Sequence, residues 1–230
     1  FKFETRLDRA TRLLNFIGDV VVNGNSDVPA AVRLAPRPAL RVPHLPHSDA
    51  AAPAPGTKQK LDELGPEKFA QWLRAEPLVH YTDTTLRDSH QSLLATRMRT
   101  FDMLKVAGPY AQRHPQTFSL EVWGGATFDV ALRFLHEDPW ARLTQLRAAV
   151  PNILLQMLIR GANGVGYKAY PDNLTERFVQ VAAETGIDVF RIFDSLNWIK
   201  GMEACIGFVR NKTNRLAEAS ICYTGDILDP

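Results

Sequence analysis

Residues Asn173–Asn197 read NLTERFVQVAAETGIDVFRIFDSLN, and this stretch decides the fold. Its first half has the marks of a helix. Asn173 is placed to cap it, and Glu176 three residues later completes a capping box. Leu174, Phe178 and Val181 form an apolar stripe, and Gly186 supplies the stop. A short apolar run from Val189 to Phe193 follows, which reads as a strand. The strand ends in polar residues, Asp194 and Asn197.

The same unit recurs on both sides. Strand candidates start near Val79, Phe118, Ile153, Val189 and Ala217, with helical patterns between them. Strands alternating with helices predict a parallel sheet with right-handed crossovers. Polar residues gather at each strand end: Asp83, Arg87, Asp88 and Gln91; then Glu121, Trp123 and a glycine pair; then Arg160, Asn163 and Tyr167; then Asp194 and Asn197; then Tyr223 and Asp226. A (β/α)8 barrel brings such ends to one face, where its active site sits. An open doubly wound sheet also binds ligands at its strand ends. No Gly-x-Gly-x-x-Gly follows the first strand, and GANGVG after the third is a weak match. A barrel takes about 250 residues for eight units. The expectation is therefore an α/β chain carrying the first five β/α units of a (β/α)8 TIM barrel, preceded by a small α+β segment.

That leading segment has two parts. Residues 5–17, TRLDRATRLLNFI, pattern as an amphipathic helix with Leu7, Ala10, Leu13, Leu14 and Ile17 on one face and Arg6, Arg9 and Arg12 off it. DVVVNG then reads as a strand and an Asn-Gly turn. From Asp27 to Gly56, proline, alanine and histidine dominate, which predicts an extended linker. GPEKFAQWLRAE resumes helical patterning with Pro66 in its first turn.

Of the 230 residues, 27 are basic and 25 acidic, and a net charge of +2 gives no field to attract nucleic acid or a membrane surface. No run approaches the ~18 apolar residues of a bilayer span, and no signal peptide is visible. Cys205 and Cys222 read as two buried thiols, a usage that fits a reducing compartment. Met98, Met103, Met157 and Met202 read as core filler. The chain opens on Phe1, so it is expected to start inside a longer polypeptide.

Five motifs carry a resemblance: DTTLRDSHQSLLATRMRT, EVWGGATFDVALRFLHEDPWARL, QMLIRGANGVGY, DVFRIFDSLN and YTGDILDP. From about Leu61 to Pro230 the chain resembles the carboxyltransferase domain of the pyruvate carboxylase family. RATRLLNFIGDVVVNG is similar to part of that family's allosteric domain. The resemblance implies three parts: 1–40 allosteric, 41–60 linker, 61–230 the N-terminal part of the barrel. It implies biotin-dependent carboxylation of pyruvate to oxaloacetate, dependent on ATP and bicarbonate in the whole enzyme. Oxaloacetate decarboxylase α subunits and transcarboxylase are the alternative relatives.

By the same resemblance, Asp88 is a ligand of a divalent metal, Zn or Mn. Arg87, Gln91 and Arg160 surround pyruvate, while Asp129, Tyr167 and Asp194 cluster with Arg160 near biotin. Arg87 and Arg160 would grip a carboxylate bidentately, although an arginine at a strand end is as often an ion-pair partner. Asp83 and His90 read as supports of the loop. Arg6 and Arg9 match a pair that contacts an acetyl-CoA activator. Biotin on a separate carrier domain, ATP at another domain, the remainder of the polypeptide and a homotetramer complete the implied partners. The implied compartment is cytoplasmic in a bacterium, or the mitochondrial matrix in a eukaryote, with the first preferred. The family's other metal ligands and its catalytic threonine lie in later units, so the isolated chain is expected to be inactive.

Overall fold

A computed structural model describes residues 9–23, 44–45, 51–93, 97–223 and 225. The chain divides into two compact units, Phe1–His44 and Leu45–Pro230.

In the first unit, helix α1 spans Arg9–Asn23. It runs straight through the valines that predict a strand. Three valines have no partner ladder among the described residues, whereas each added helical residue gains a hydrogen bond to the turn before it. Residues 5–8 and Gly24 lie outside the described residues. Leu13, Leu14, Ile17 and Val21 are exposed.

The second unit is a wall of five parallel strands: β1 Thr82–Asp83, β2 Ser119–Gly124, β3 Leu154–Ile159, β4 Val189–Phe193 and β5 Leu216–Ser220. They lie in the order β1-β2-β3-β4-β5. A doubly wound sheet reverses its strand order at a switch point, and this one does not. The strict order is that of a barrel wall, as the sequence predicts, with the described strands forming an open sheet. Helices α3 (Thr100–Arg113), α4 (Gly125–Asp129), α5 (Pro139–Ala149), α6 (Asp172–Thr185) and α7 (Ile199–Lys212) connect the strands.

Both faces of the wall are covered. On the outer face Leu120, Val122, Leu155, Met157, Ile159, Phe190 and Ile192 pack with Met103, Ala107, Leu143, Val179, Met202 and Cys205 of the helices. At the N-terminal end of the inner face, Phe118, Leu154 and Val189 pack against Leu61 and Phe69 of α2 (Thr57–Ala75). Helix α2 therefore closes the bottom of the wall. It starts inside the stretch 41–60 read as linker. It breaks at Gly65 (φ +70°), so Pro66 opens the second half of the helix.

Several local expectations shift. The apolar run before β1 is not a strand: Leu78 and Val79 are exposed, and pairing begins only where Thr82 meets Ser119. Helix α6 starts at Asp172 after Pro171, which puts Asn173 inside the first turn rather than at the cap. Its buried face is Thr175, Val179, Ala182 and Ala183, and Leu174 is half exposed, so the stripe is turned by one residue. Gly186 does end the helix (φ +141°). Cys205 is buried, but Cys222 is exposed just past β5, and both are free thiols. Met103, Met157 and Met202 are core residues.

Candidate active site at the strand ends

β1 delivers its chain directly into a wide helical turn, Thr85–Leu93. The turn is set by Asp83, whose Oδ1 accepts from the Thr85 amide at 2.7 Å, and by Thr84, whose carbonyl accepts from Arg87 and Ser89. Burial raises the Asp83 carboxyl, but hydrogen bonds from Thr85 outweigh it and hold the group below its ordinary value. Asp83 is thus a loop support, as the sequence suggests. His90 is buried on the same turn. Wide π-type turns of this kind are frequent at functional sites because they re-aim neighbouring side chains.

Here they aim Arg87 inward. It is buried, and its Nε donates to Glu121 Oε1 of β2 at 2.5 Å, with Nη2 on the same oxygen. Gly124 makes room for it: a Cβ there would lie 3.1 Å from the Leu158 carbonyl and 3.4 Å from Arg87 Cδ. Arg87 Nη1 lies 3.4 Å from Asp88 Oδ1. The Asp88 side chain is 46% exposed, and Ser92 Oγ donates to the same Oδ1 at 2.9 Å. Its Oδ2 has no partner among the described residues. Gln91 is partly buried on this turn.

Glu121 is fully buried, and its second oxygen is also used. Oε2 accepts from Arg191 Nη2 of β4 at 2.7 Å and from Gln156 Nε2 of β3 at 3.1 Å. A carboxylate hydrogen-bonded between two guanidiniums fixes the orientation of both. The sequence reading places Glu121 at a strand end without a role, and it omits Arg191. A signal was present. Strands buried on both faces read as continuous apolar runs, yet SLEV, LQML, FRIF and AEA each carry one polar residue mid-strand.

The second cluster follows β3 and β4. Arg160 Nη1 donates to the Gly166 carbonyl at 3.0 Å, and its guanidinium lies 4.9 Å from the Tyr167 ring centre. With Asn163, Phe193, Asp194 and Ser195 these residues line a cavity of about 230 Å³. Asp194 Oδ1 accepts from the amides of Leu196 and Trp198, at 2.9 Å each. Asp194 therefore shapes its own loop and shares the cavity with Arg160 without an ion pair. Asp129 does not join them: it pairs with Arg133 at 3.0 Å, one turn along its own helix. Of the cluster the resemblance implies, Tyr167 and Asp194 gather with Arg160 and Asp129 does not, because its carboxylate is taken locally. Trp123, also named at a strand end, lies away from the site. A register shift after Glu121 turns it to the outer core, where its Nε1 donates to the Pro139 carbonyl at 3.1 Å and its ring meets Phe128, Trp140 and Phe178.

Arg6 lies outside the described residues, and Arg9 opens α1. Among the described residues, no group of three His, Cys, Asp or Glu side chains can hold a metal. The open oxygen of Asp88 fits one position in the shell of a hard divalent cation, which favours oxygen ligands. A larger cavity, about 550 Å³, lies at the other end of the wall between α2, α6 and the turn after α7. It holds none of the strand-end residues, and the chemistry favours the smaller one.

The ordered parallel wall is similar to that of a carboxyl transferase domain of known structure. A solved structure of that domain from Rhizobium etli pyruvate carboxylase, with oxamate and biotin, superposes with a TM-score of 0.78 at 54% identity, covering 96% of this chain and 37% of that one. The chain is related along its entire length to a segment of the pyruvate carboxylases. It is 54% identical over 230 residues to the enzyme of Bacillus subtilis. It spans about a fifth of the length of that relative. A structure of a Rhizobium etli pyruvate carboxylase variant with the allosteric activator acetyl coenzyme-A matches with a TM-score of 0.79 at 54% identity, covering 97% of this chain and 22% of that one. No family model matches the chain.

Proposed function

We propose that this chain carries part of the carboxyltransferase site of a biotin-dependent pyruvate carboxylase. The observation that carries the reading is the strand-end constellation: a buried arginine locked to Glu121, beside an aspartate with one oxygen unpartnered among the described residues. The reaction is pyruvate plus carboxybiotin giving oxaloacetate plus biotin. The methyl proton of pyruvate goes to the ureido nitrogen that carbon dioxide vacates, and the enolate carbon attacks that carbon dioxide.

The residues divide the work. Glu121 takes the Nε–Nη2 edge of Arg87, so the substrate carboxylate is gripped end-on by Nη1 and the outer N–H of Nη2. The Gln91 amide donates to the keto oxygen as charge develops there, a preorganised donor of the kind that stabilises enolates. A divalent cation, zinc or manganese, held through Asp88 with ligands from beyond the described residues, would add Lewis-acid charge at that oxygen. Ser92 holds Asp88 Oδ1 and leaves Oδ2 for that task. Arg160 joins Arg87 and Gln91 around pyruvate and, with Tyr167 and Asp194, lines the cavity that would take the biotin ring, and Asp129 steadies the helix beside it through Arg133.

With this go the wider assignments: residues 1–40 in an allosteric domain, 41–60 a linker and 61–230 a barrel segment. Arg6 and Arg9 serve the acetyl-CoA response, with ATP and biotin on separate domains of a homotetramer. A cytoplasmic placement is preferred over the mitochondrial matrix, and no described helix is long and apolar enough to cross a membrane. The test is an assay of the complete protein for oxaloacetate formation from pyruvate, bicarbonate and ATP. Biotin-dependent product supports the reading. Decarboxylation of oxaloacetate with no ATP-driven carboxylation would replace it with a decarboxylase.

A further inference from the structure

Four successive strands place a polar side chain on the inner face, below the strand ends: Glu121, Gln156, Arg191 and Glu218. Barrel interiors are ordinarily filled by branched apolar residues, so a polar row costs the fold something. The register sets Glu121 beside Gln156, and Arg191 directly beside Glu218. The two oxygens of Glu121 have different partners. Oε1 receives Arg87, while Oε2 receives Arg191 at 2.7 Å and Gln156 at 3.1 Å. The terminal torsion of a glutamate is broad and roughly two-fold. A carboxylate held at one oxygen alone would swing, and Arg87 would swing with it.

We propose that Arg191 is a positioning residue for Arg87, acting through Glu121. This rests on the reading above that Arg87 grips the substrate carboxylate. Arg191 stands on β4, two strands from Glu121, and bonds Glu121 rather than Arg87 itself. Its bond to Glu121 is charge-assisted and therefore stronger than the one from Gln156. Its Nε is buried with no hydrogen-bond partner among the described residues. The side chain thus leaves one buried N–H unmet while making the charge-assisted contact to Oε2, which apolar packing at this position would avoid. Glu218 faces the other side of Arg191, and burial raises its carboxyl while Arg191 pulls it down.

Arg191→Met and Arg191→Lys in the complete protein test this. Kinetics in pyruvate and the melting temperature are measured together. Methionine keeps most of the length and packing, and Arg87 remains as a counter-ion to Glu121. Loss of orientation should change kcat/KM for pyruvate by about tenfold or more in Arg191→Met whatever the melting temperature does, with Arg191→Lys between it and wild type. A folded Arg191→Met with kcat and KM within about twofold of wild type overturns the proposal, and Arg191→Lys meets the same criterion if the methionine variant does not fold. If wild type itself does not carboxylate pyruvate, the functional reading fails separately. Crystal structures of wild type and Arg191→Lys then decide: a displaced Arg87 guanidinium supports the positioning role, and an unmoved one overturns it.

Discussion

The two ends of the parallel wall each hold an aspartate among cations, and they treat it oppositely. At the N-terminal end, the Asp188 side chain is fully buried. Arg147 Nη1 lies at 2.6 Å, Arg215 Nη1 at 3.4 Å and Lys58 Nζ at 3.7 Å, and the Leu155 amide donates at 2.9 Å. Burial pushes the Asp188 carboxyl above its ordinary value and the Arg147 guanidinium below its own, the mark of two ions that both lose hydration. Asp188 ties α2, α5, β3 and β5 together. At the C-terminal end Asp88 is half open, with one oxygen committed and the other without a partner among the described residues. A buried carboxylate ringed by cations holds elements in place, and an accessible one beside a single cation keeps capacity for a ligand. In barrels these are the stability face and the active face.

The contrast can be broken, and the largest effect is expected at the buried end. Asp188→Ala leaves Arg147 buried without its counter-ion and should cost about 3–5 kcal/mol of stability. A fall in soluble yield and melting temperature, with the kinetics of the surviving folded fraction near normal, is the expected result. A variant as stable as wild type would show that Asp188 is no keystone.

Next comes Glu121→Gln, buried like Asp188 but wired to the active face. The amide keeps the shape and takes away the charge that holds Arg87 and Arg191. Carboxyl transfer should fall about 100-fold, near 2.7 kcal/mol of transition-state stabilisation. Turnover within about threefold of wild type would leave Arg87 positioned by something else.

The smallest effect belongs to Glu137, near neither aspartate. Burial raises its carboxyl, but bonds from the Thr100 hydroxyl and amide and from Arg142 outweigh this and hold it below its ordinary value. A depressed carboxyl adds stability above its unfolded pKa, and that stability is lost as pH falls through the folded one. Glu137→Gln should therefore cost about 1 kcal/mol at neutral pH. The gap to wild type should close as the solution is taken below about pH 4. A gap that widens in acid would reverse the sign assigned here.

The sequence made the wall legible because its signal is repeated. Each strand from Ser119 onward is an apolar run followed by a polar end, and a helix separates it from the next. Edges and caps were less legible. β1 is two residues long because its ladder begins only at Thr82, and no apolar count reveals where a neighbour's hydrogen bonds start. The valines of α1 read as a strand by propensity and are helical because propensity yields to the continuing ladder. At the site, Arg87, Asp88, Arg160 and Asp194 were legible as residues at strand ends. Their partners were not. Glu121, 34 positions from Arg87, meets it only through strand pairing, and Asp129 finds Arg133 a single turn away before it can reach Arg160.

The open oxygen of Asp88 is the centre of the functional reading, and Asp88→Asn in the complete protein tests it most directly. Asparagine keeps the contact to Ser92 and removes the charge. Bound divalent metal is counted by elemental analysis, and oxaloacetate formation is assayed on the same preparation. The expected result is a clear loss of metal together with loss of carboxyl transfer by several kcal/mol-equivalents of rate, about 1,000-fold or more. Full metal occupancy with near-normal turnover would contradict it.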